Sequence, residues 1–167
     1  MKGSLTIAMG TRSDIPVILS FIQDLAVYER MRELCVASEE KLRETLFGEV
    51  PAAEVLIARL DGEPVGFALF FHNYSTFLAQ RGVYLEDLFV NPSGRGKGVG
   101  RALLAALARI AIERNCGRVE WAVLDWNELA IGFYRNIGAQ PMDEWTTFRM
   151  TGEPLERLAA ESVAIAK

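Results

Sequence analysis

One histidine and two cysteines are all the soft metal ligands of these types in 167 residues. His72 stands alone, Cys35 and Cys116 lie far apart with no CxxC, and no Cys/His metal spacing can be built from them. A disulfide framework is excluded by the same shortage, and a reducing cytoplasm is the simplest setting. Glycine and proline number only 14 and 6, too few for a collagen-like or low-complexity chain. No apolar run approaches the roughly 18 residues of a membrane span. Leu5 to Met9, which follows Met1 and Lys2, is too short and interrupted for a signal peptide, so a soluble protein that is not exported is expected. Positive charge is not in excess either: 18 Lys+Arg against 22 Asp+Glu give a net charge of −4. Nothing in that balance attracts nucleic acid or an anionic membrane, and a cationic small molecule is not repelled.

What remains is a chain that is 50% hydrophobic and 24% charged, long enough for one core, so residues 1–167 are expected to form a single domain. Leu5 to Gly10 reads as a strand. Ser13-Asp14 then caps a helix with Ile15, Ile18, Leu19, Ile22, Leu25 and Ala26 at helical spacing, running to about Glu29 or Arg30. Met31 to Ala37 reads as loop, and Ser38 with Glu39-Glu40 opens a second helix that ends near Phe47-Gly48. Glu54 to Leu60 and Pro64 to Tyr74 are strands joined by Asp61-Gly62, a hairpin signal. Val83 to Val90 is a further strand, Val99 to Arg114 a helix, Val119 to Leu124 an apolar strand. Ala130, Phe133, Tyr134 and Ile137 fall at helical spacing before Gly138. Trp145 to Met150 reads as a last strand and Glu153 to Ala160 as a terminal helix. The class is α/β, with a mixed sheet, since antiparallel strands come first and strand-helix alternation follows.

Three stretches carry chemistry. Arg95-Gly96-Lys97-Gly98-Val99-Gly100 lies between a strand and a helix, where glycine lets backbone N–H groups turn inward and the helix start adds positive dipole. Such a turn cradles phosphate, with Arg95, Lys97 and Arg101 adding charge. It is neither a Walker A loop nor a GxGxxG fingerprint; an inert flexible loop is the other reading, disfavoured because glycines at 94, 96, 98 and 100 are costly unless the backbone needs them. In Tyr84-Leu85-Glu86-Asp87-Leu88-Phe89-Val90 two acids sit mid-strand, and alternation sends them to opposite faces. Glu86 is either functional or ion-paired to an arginine, and for Asp87 the structural reading is the stronger. In Asp125 to Tyr134, Asn127 read by itself is a helix cap and Tyr134 a half-buried core residue. His72 reads as a strand-end histidine.

Taken in order, the acidic strand, the Arg-Gly-x-Gly-x-Gly turn and Trp126-Asn127 followed by Phe133-Tyr134 resemble the GNAT-type N-acetyltransferase superfamily. Within it the chain is most similar to the spermidine/spermine (diamine) and thialysine N-acetyltransferases. The likeness rests on Leu25-Ala26-x-Tyr28-Glu29, Tyr84-Leu85-Glu86-Asp87, Trp126-Asn127-Glu128 and Phe133-Tyr134. The resemblance implies the GNAT acyl-CoA N-acyltransferase fold, a mostly antiparallel twisted sheet flanked by helices, with acetyl-CoA as acyl donor and no metal. By the same resemblance, Leu88, Phe89 and Val90 offer backbone groups to the acetyl and pantetheine part. Arg95, Gly96, Lys97, Gly98, Val99, Gly100 and Arg101 hold the diphosphate, and Asn127, Glu128, Leu129 and Ala130 line the cofactor further along. Tyr134 sits near the sulfur as general acid, and Glu86 binds the amine and takes its proton. Tyr28, Glu29, Glu86 and Asp87 match acceptor-binding positions. The implied reaction is direct attack of a small cationic primary amine on the thioester, in a homodimer. A protein N-terminus, a lysine or an aminoglycoside as acceptor, or a non-catalytic acyl-CoA sensor, are the alternatives. Val27 replaces a lysine usual in the animal polyamine enzymes, and the segment from Gln140 to Trp145 is shorter than theirs, so polyamine specificity does not carry over.

Overall fold

The computed structural model describes residues 3–163, which divide between Ala122 and Val123 into two compact units. In the first unit five strands lie in the order in which they occur: β1 (Leu5–Met9), β2 (Glu54–Leu60), β3 (Glu63–Ser75), β4 (Gln80–Val90) and β5 (Val119–Trp121). The first four pair antiparallel and β5 joins β4 in parallel, so the sheet is mixed, as the order of elements predicts. The β2–β3 hairpin turns on Asp61 and Gly62, with φ of 51° and 88°. Both central residues are left-handed, which is what a two-residue turn matched to the strand twist requires.

Helices α1 (Ile15–Tyr28) and α2 (Glu39–Phe47) cover one face of this sheet. Ile15, Ile18, Phe21, Leu25, Leu42 and Leu46 pack there against Val55, Ile57, Phe67 and Phe89, and the Phe21 and Phe67 rings stack at 5.6 Å. By strand alternation Leu56, Ala58, Ala68 and Phe70 point to the opposite face. That face is packed by α3 (Val99–Glu113), whose Leu103, Leu104, Leu107 and Ala111 are buried. Burial on both faces explains why β2 and β3 read as nearly continuous apolar runs.

Two local expectations are corrected in this unit. Asp14 stands at the N-cap of α1, yet its carboxylate does not cap: it accepts from Thr11 N at 2.8 Å and Thr11 Oγ1 at 2.9 Å and pairs with Arg59. Burial alone would raise its pKa, but these three donors together hold it below the usual carboxylate range. Ser38 does cap α2, accepting from Lys41 N at 3.3 Å. The segment read as loop, Met31 to Ala37, contains a 3-10 turn at Arg32–Leu34.

The second unit holds α4 (Glu128–Asn136) and α5 (Gly152–Ala160). Trp145 to Met150, expected as a last strand, belongs to no ladder. Branched and aromatic composition favours a pleated surface, but a strand exists only through its neighbour's hydrogen bonds, and composition supplies no neighbour. The apolar strand expected over Val119 to Leu124 likewise shortens to its first three residues. Among the described residues no helix is long and apolar enough to cross a membrane.

Candidate active site

β4 carries the acidic pair, and its pairing with β3 is interrupted there. Leu85 opposes Phe70 and Asp87 opposes Leu69, so Glu86 is the extra residue of a β-bulge. Neighbouring residues on β3 face opposite sides; Leu85 and Asp87 therefore also face opposite sides, although they are two apart in sequence. Leu85 is buried towards α3, Asp87 is half-buried on the α1 side, and Glu86 is exposed. Simple alternation, which would send Glu86 and Asp87 to opposite faces and Leu85 and Asp87 to the same one, does not hold across the bulge: there it is Leu85 and Asp87 that diverge.

The second strand neighbour ends at the same place. β5 runs beside β4 for three residues only, Val83 to Leu85 against Val119 to Trp121. From Glu86 to Val90 the described ladder of β4 is with β3 alone. In a pleated strand the backbone groups on the other edge then remain available to a ligand. Leu88, Phe89 and Val90 all lie in this stretch, although the Val90 carbonyl already accepts from Arg95 Nε at 3.0 Å.

Electrostatics single out Asp87. Burial, and then the charges of Glu86 and Glu29, push its pKa up to about 6. Glu29, just past the end of α1, is raised by burial. Among the described residues neither Glu86 nor Asp87 forms an ion pair, so the arginine partner considered for Glu86 is not present. The charges of Glu86 and Glu29 thus both act on Asp87, none of the three carboxylates is in a salt bridge among the described residues, and a cationic group would be attracted there.

Past Val90 the chain enters a 3-10 turn, Pro92–Gly94, fixed by Asn91, whose side-chain oxygen accepts from Gly94 N at 3.0 Å. Gly96 and Gly98 follow with φ of 71° and 79°, in the left-handed region that glycine enters freely. A Cβ at either would meet nothing within 4 Å, so conformation, not crowding, demands glycine there. Gly94 differs: a Cβ would come within 3.0 Å of Val65 and Val90 side chains, and close packing sets its size. Gly98 caps α3, and the first bond closing the helix is Ala102 N to Gly98 O at 3.0 Å. The N–H groups of Val99, Gly100 and Arg101 precede that bond and are directed out of the helix start. Open backbone, a helix dipole and Lys97 and Arg101 nearby suit an anionic phosphate.

Arg95 takes an unexpected course. Its Nε donates to Val90 O at 3.0 Å, and its guanidinium lies 5.3 Å from the centroid of the Tyr28 ring and 5.9 Å from that of Phe89. The side chain assigned by resemblance to the donor turn is therefore laid against the last residue of α1, which the same resemblance assigns to the acceptor. Nothing in the sequence placed residues 28 and 95 together.

In the second unit Asn127 caps α4 as expected, its side-chain oxygen accepting from Ala130 N at 3.2 Å. Glu128, Leu129 and Ala130 form the first turn, and Tyr134 stands half-buried in the second, its ring 5.5 Å from Phe133. Gly138, with φ of 92°, closes the helix: its N–H donates to Arg135 O at 3.0 Å and the N–H of Ala139 to Tyr134 O at 3.1 Å.

His72 is not at a strand end but inside β3, opposite Val83. Its Nδ1 lies 3.0 Å from Gly82 O and so carries the proton, which leaves Nε2 to accept from Arg114 Nη1 at 2.9 Å. Arg114 also binds Glu54 and holds that carboxyl below its usual range. Both ring nitrogens are committed to structure.

The sequence matches the model of the acetyltransferase (GNAT) family over residues 21–139. A thialysine N-epsilon-acetyltransferase of Bos taurus is 39% identical over 155 residues, covering 86% of this chain and 91% of that protein. An L-ornithine N5-acetyltransferase of Arabidopsis thaliana is 34% identical over 197 residues, covering 91% and 86%. Among solved structures, an integron cassette protein from the mobile metagenome of V. cholerae superposes with a TM-score of 0.79 at 31% identity, over 95% of this chain and 99% of that one. An aminoglycoside acetyltransferase from a soil metagenome, at 20% identity and a TM-score of 0.75, shares the fold.

Proposed function

Because the chain belongs to the GNAT acetyltransferase family, an assignment that makes it an acetyl-transferring enzyme, we propose that it moves the acetyl group of acetyl-CoA directly to the primary amine of a small cationic acceptor. The observation that carries this reading is the acidic bulge of β4. Asp87 there feels the charges of Glu86 and Glu29, and none of the three is in a salt bridge among the described residues, beside a strand edge and ahead of a phosphate-suited turn. The two relatives named above act, by their names, on side-chain amines of amino acids, and an acceptor of that kind is the one proposed here.

An alkyl ammonium with a pKa near 10.4 must lose its proton to attack, which costs about 4 to 5 kcal/mol at pH 7. Glu86, aided by Asp87 and Glu29, binds the ammonium and takes that proton directly or through water. Leu88, Phe89 and Val90 hold the thioester along the free edge of β4, and a backbone N–H near Leu88 receives the developing oxyanion. Gly96 to Arg101, with Arg95, bind the diphosphate, and Asn127, Glu128, Leu129 and Ala130 the rest of the donor. Tyr134 returns a proton to the leaving thiolate. The family match spans parts of both units, which supports a single working domain. The free cysteines Cys35 and Cys116 suit a reducing cytoplasm.

The test is turnover of acetyl-CoA across a panel of amines: thialysine, lysine, ornithine, short diamines, spermidine, an aminoglycoside and a peptide N-terminus. Acetylation of one or more of the small side-chain amines, with the peptide and the aminoglycoside inert, is the expected result. Acetylation of the peptide or aminoglycoside alone overturns the acceptor class, and donor binding without any transfer identifies a sensor.

A further inference from the structure

Arg95 stands between the two halves of the reaction. By sequence it opens the glycine turn, and by contact it belongs to the end of α1. Its guanidinium is laid over Tyr28 and Phe89 while Nε donates to Val90 O. Tyr28 is the last residue of α1 and Glu29 the residue after it. The Phe89 ring in turn lies 6.1 Å from Phe21 of the same helix. One arginine of the donor turn thus touches the last residue of α1, next in sequence to one carboxylate of the acidic cluster.

We propose that Arg95 couples donor binding to the acceptor end of α1: without donor it rests on Tyr28, and an anionic diphosphate at the glycine turn competes for it. This inference rests on the acetyl-CoA reading. The competition is uneven. Arg95 is exposed, and a cation–π contact at an exposed site is worth only about two- to fivefold in an equilibrium constant. A guanidinium-to-phosphate hydrogen bond is charge-assisted and stronger. Donor binding therefore draws Arg95 off the ring and loosens Tyr28 and Glu29 for an incoming amine. By linkage, the same factor appears reciprocally in the donor affinity. Arg95 is in this sense a positioning residue for the acceptor, as well as a donor contact.

The consequence has a sign that ordinary damage would not produce. Removing the ring that competes for Arg95 should tighten donor binding. Acetyl-CoA affinity is measured by calorimetry, with no amine present, on the wild type, Tyr28→Leu, Tyr28→Phe, Arg95→Met and the Arg95→Met/Tyr28→Leu double variant. Tyr28→Leu is expected to bind acetyl-CoA about two- to fivefold more tightly, and Tyr28→Phe, which keeps the ring, to group with the wild type. Arg95→Met binds more weakly, and adding Tyr28→Leu to it changes nothing further. A Tyr28→Leu variant with unchanged or weaker affinity, or one that tightens equally in the Arg95→Met background, overturns the coupling. Absence of acetyl-CoA binding by the wild type overturns the functional reading instead.

Discussion

Asp87 and Glu86 are adjacent carboxylates in unlike settings, and the difference decides what each can do. Glu86 is exposed at the bulge, whereas Asp87 is half-buried with its pKa pushed up to about 6. An acid whose pKa is higher folded than unfolded holds its proton more firmly in the folded state. Its contribution to stability therefore falls as pH rises from about 4 to about 6 and then stays flat. The full shift corresponds to at most about 3 kcal/mol, and to less for a group that solvent partly reaches. Asp14 and Glu54 act oppositely: their lowered values give stability that is present at neutral pH and lost on acidification. Denaturant unfolding of Asp87→Asn should accordingly exceed the wild type by about 1 to 3 kcal/mol at pH 8 and by little at pH 4. An equal gap at both pH values would assign the effect to packing instead. A cation bound beside Asp87 would lower its pKa again, so binding of the amine should be accompanied by proton release near pH 6.

At the scale of elements, the site is made by interruptions of regular structure. β4 is bulged at Glu86 where its pairing with β5 stops, and the turn after it is held open by two left-handed glycines. Gly98 is the more exacting of the pair because it also caps α3. Valine there must adopt a conformation that costs an L-residue about 1 to 2 kcal/mol, with no clash to share the blame. Gly98→Val is expected to lower acetyl-CoA affinity about tenfold or more, the equivalent of roughly 1.4 kcal/mol, with a Tm a few degrees lower. Gly98→Asn separates two causes, since asparagine tolerates the left-handed region. Wild-type stability with weakened donor binding in that variant shows that the open space above the turn is itself used. Recovery of both shows that only the backbone angle matters.

For the molecule as a whole, a net charge of −4 conceals two local fields of opposite sign. Lys97 and Arg101, with Arg95, form a basic group suited to an anionic donor, and Glu29, Glu86 and Asp87 an acidic one suited to a cationic acceptor. Segregated charge of this kind serves two ligands of unlike sign better than a uniform surface would. Leu155 and Leu158, three apart on α5 and both about half exposed, form an apolar stripe of the kind two subunits can share, and pairing of two copies is the proposed use. Sedimentation at micromolar concentration should give twice the mass of one chain and, for Leu155→Glu/Leu158→Glu, a shift towards a single chain. A wild type that sediments as one chain overturns the pairing.

The sequence by itself determined the elements whose signals are local. The helical spacing of α1 and α3, the Asp-Gly hairpin, the Ser38 and Asn127 caps, and the order of acidic strand, glycine turn and Asn-to-Tyr helix were all legible, because each depends on residues a few positions apart. The tertiary structure alone decided what depends on neighbours distant in sequence. Asp14 is drawn from capping to Arg59, 45 residues away, and His72 to Gly82 and Arg114. Glu86 becomes a bulge only through the register of β3. Trp145 to Met150, despite strand-like composition, enters no ladder. Arg95 meets Tyr28 because β4 carries one to the end of α1 that carries the other. Backbone propensity acts within a turn or two of chain, whereas pairing, burial and the shift of a carboxylate's pKa are properties of the surroundings that folding supplies.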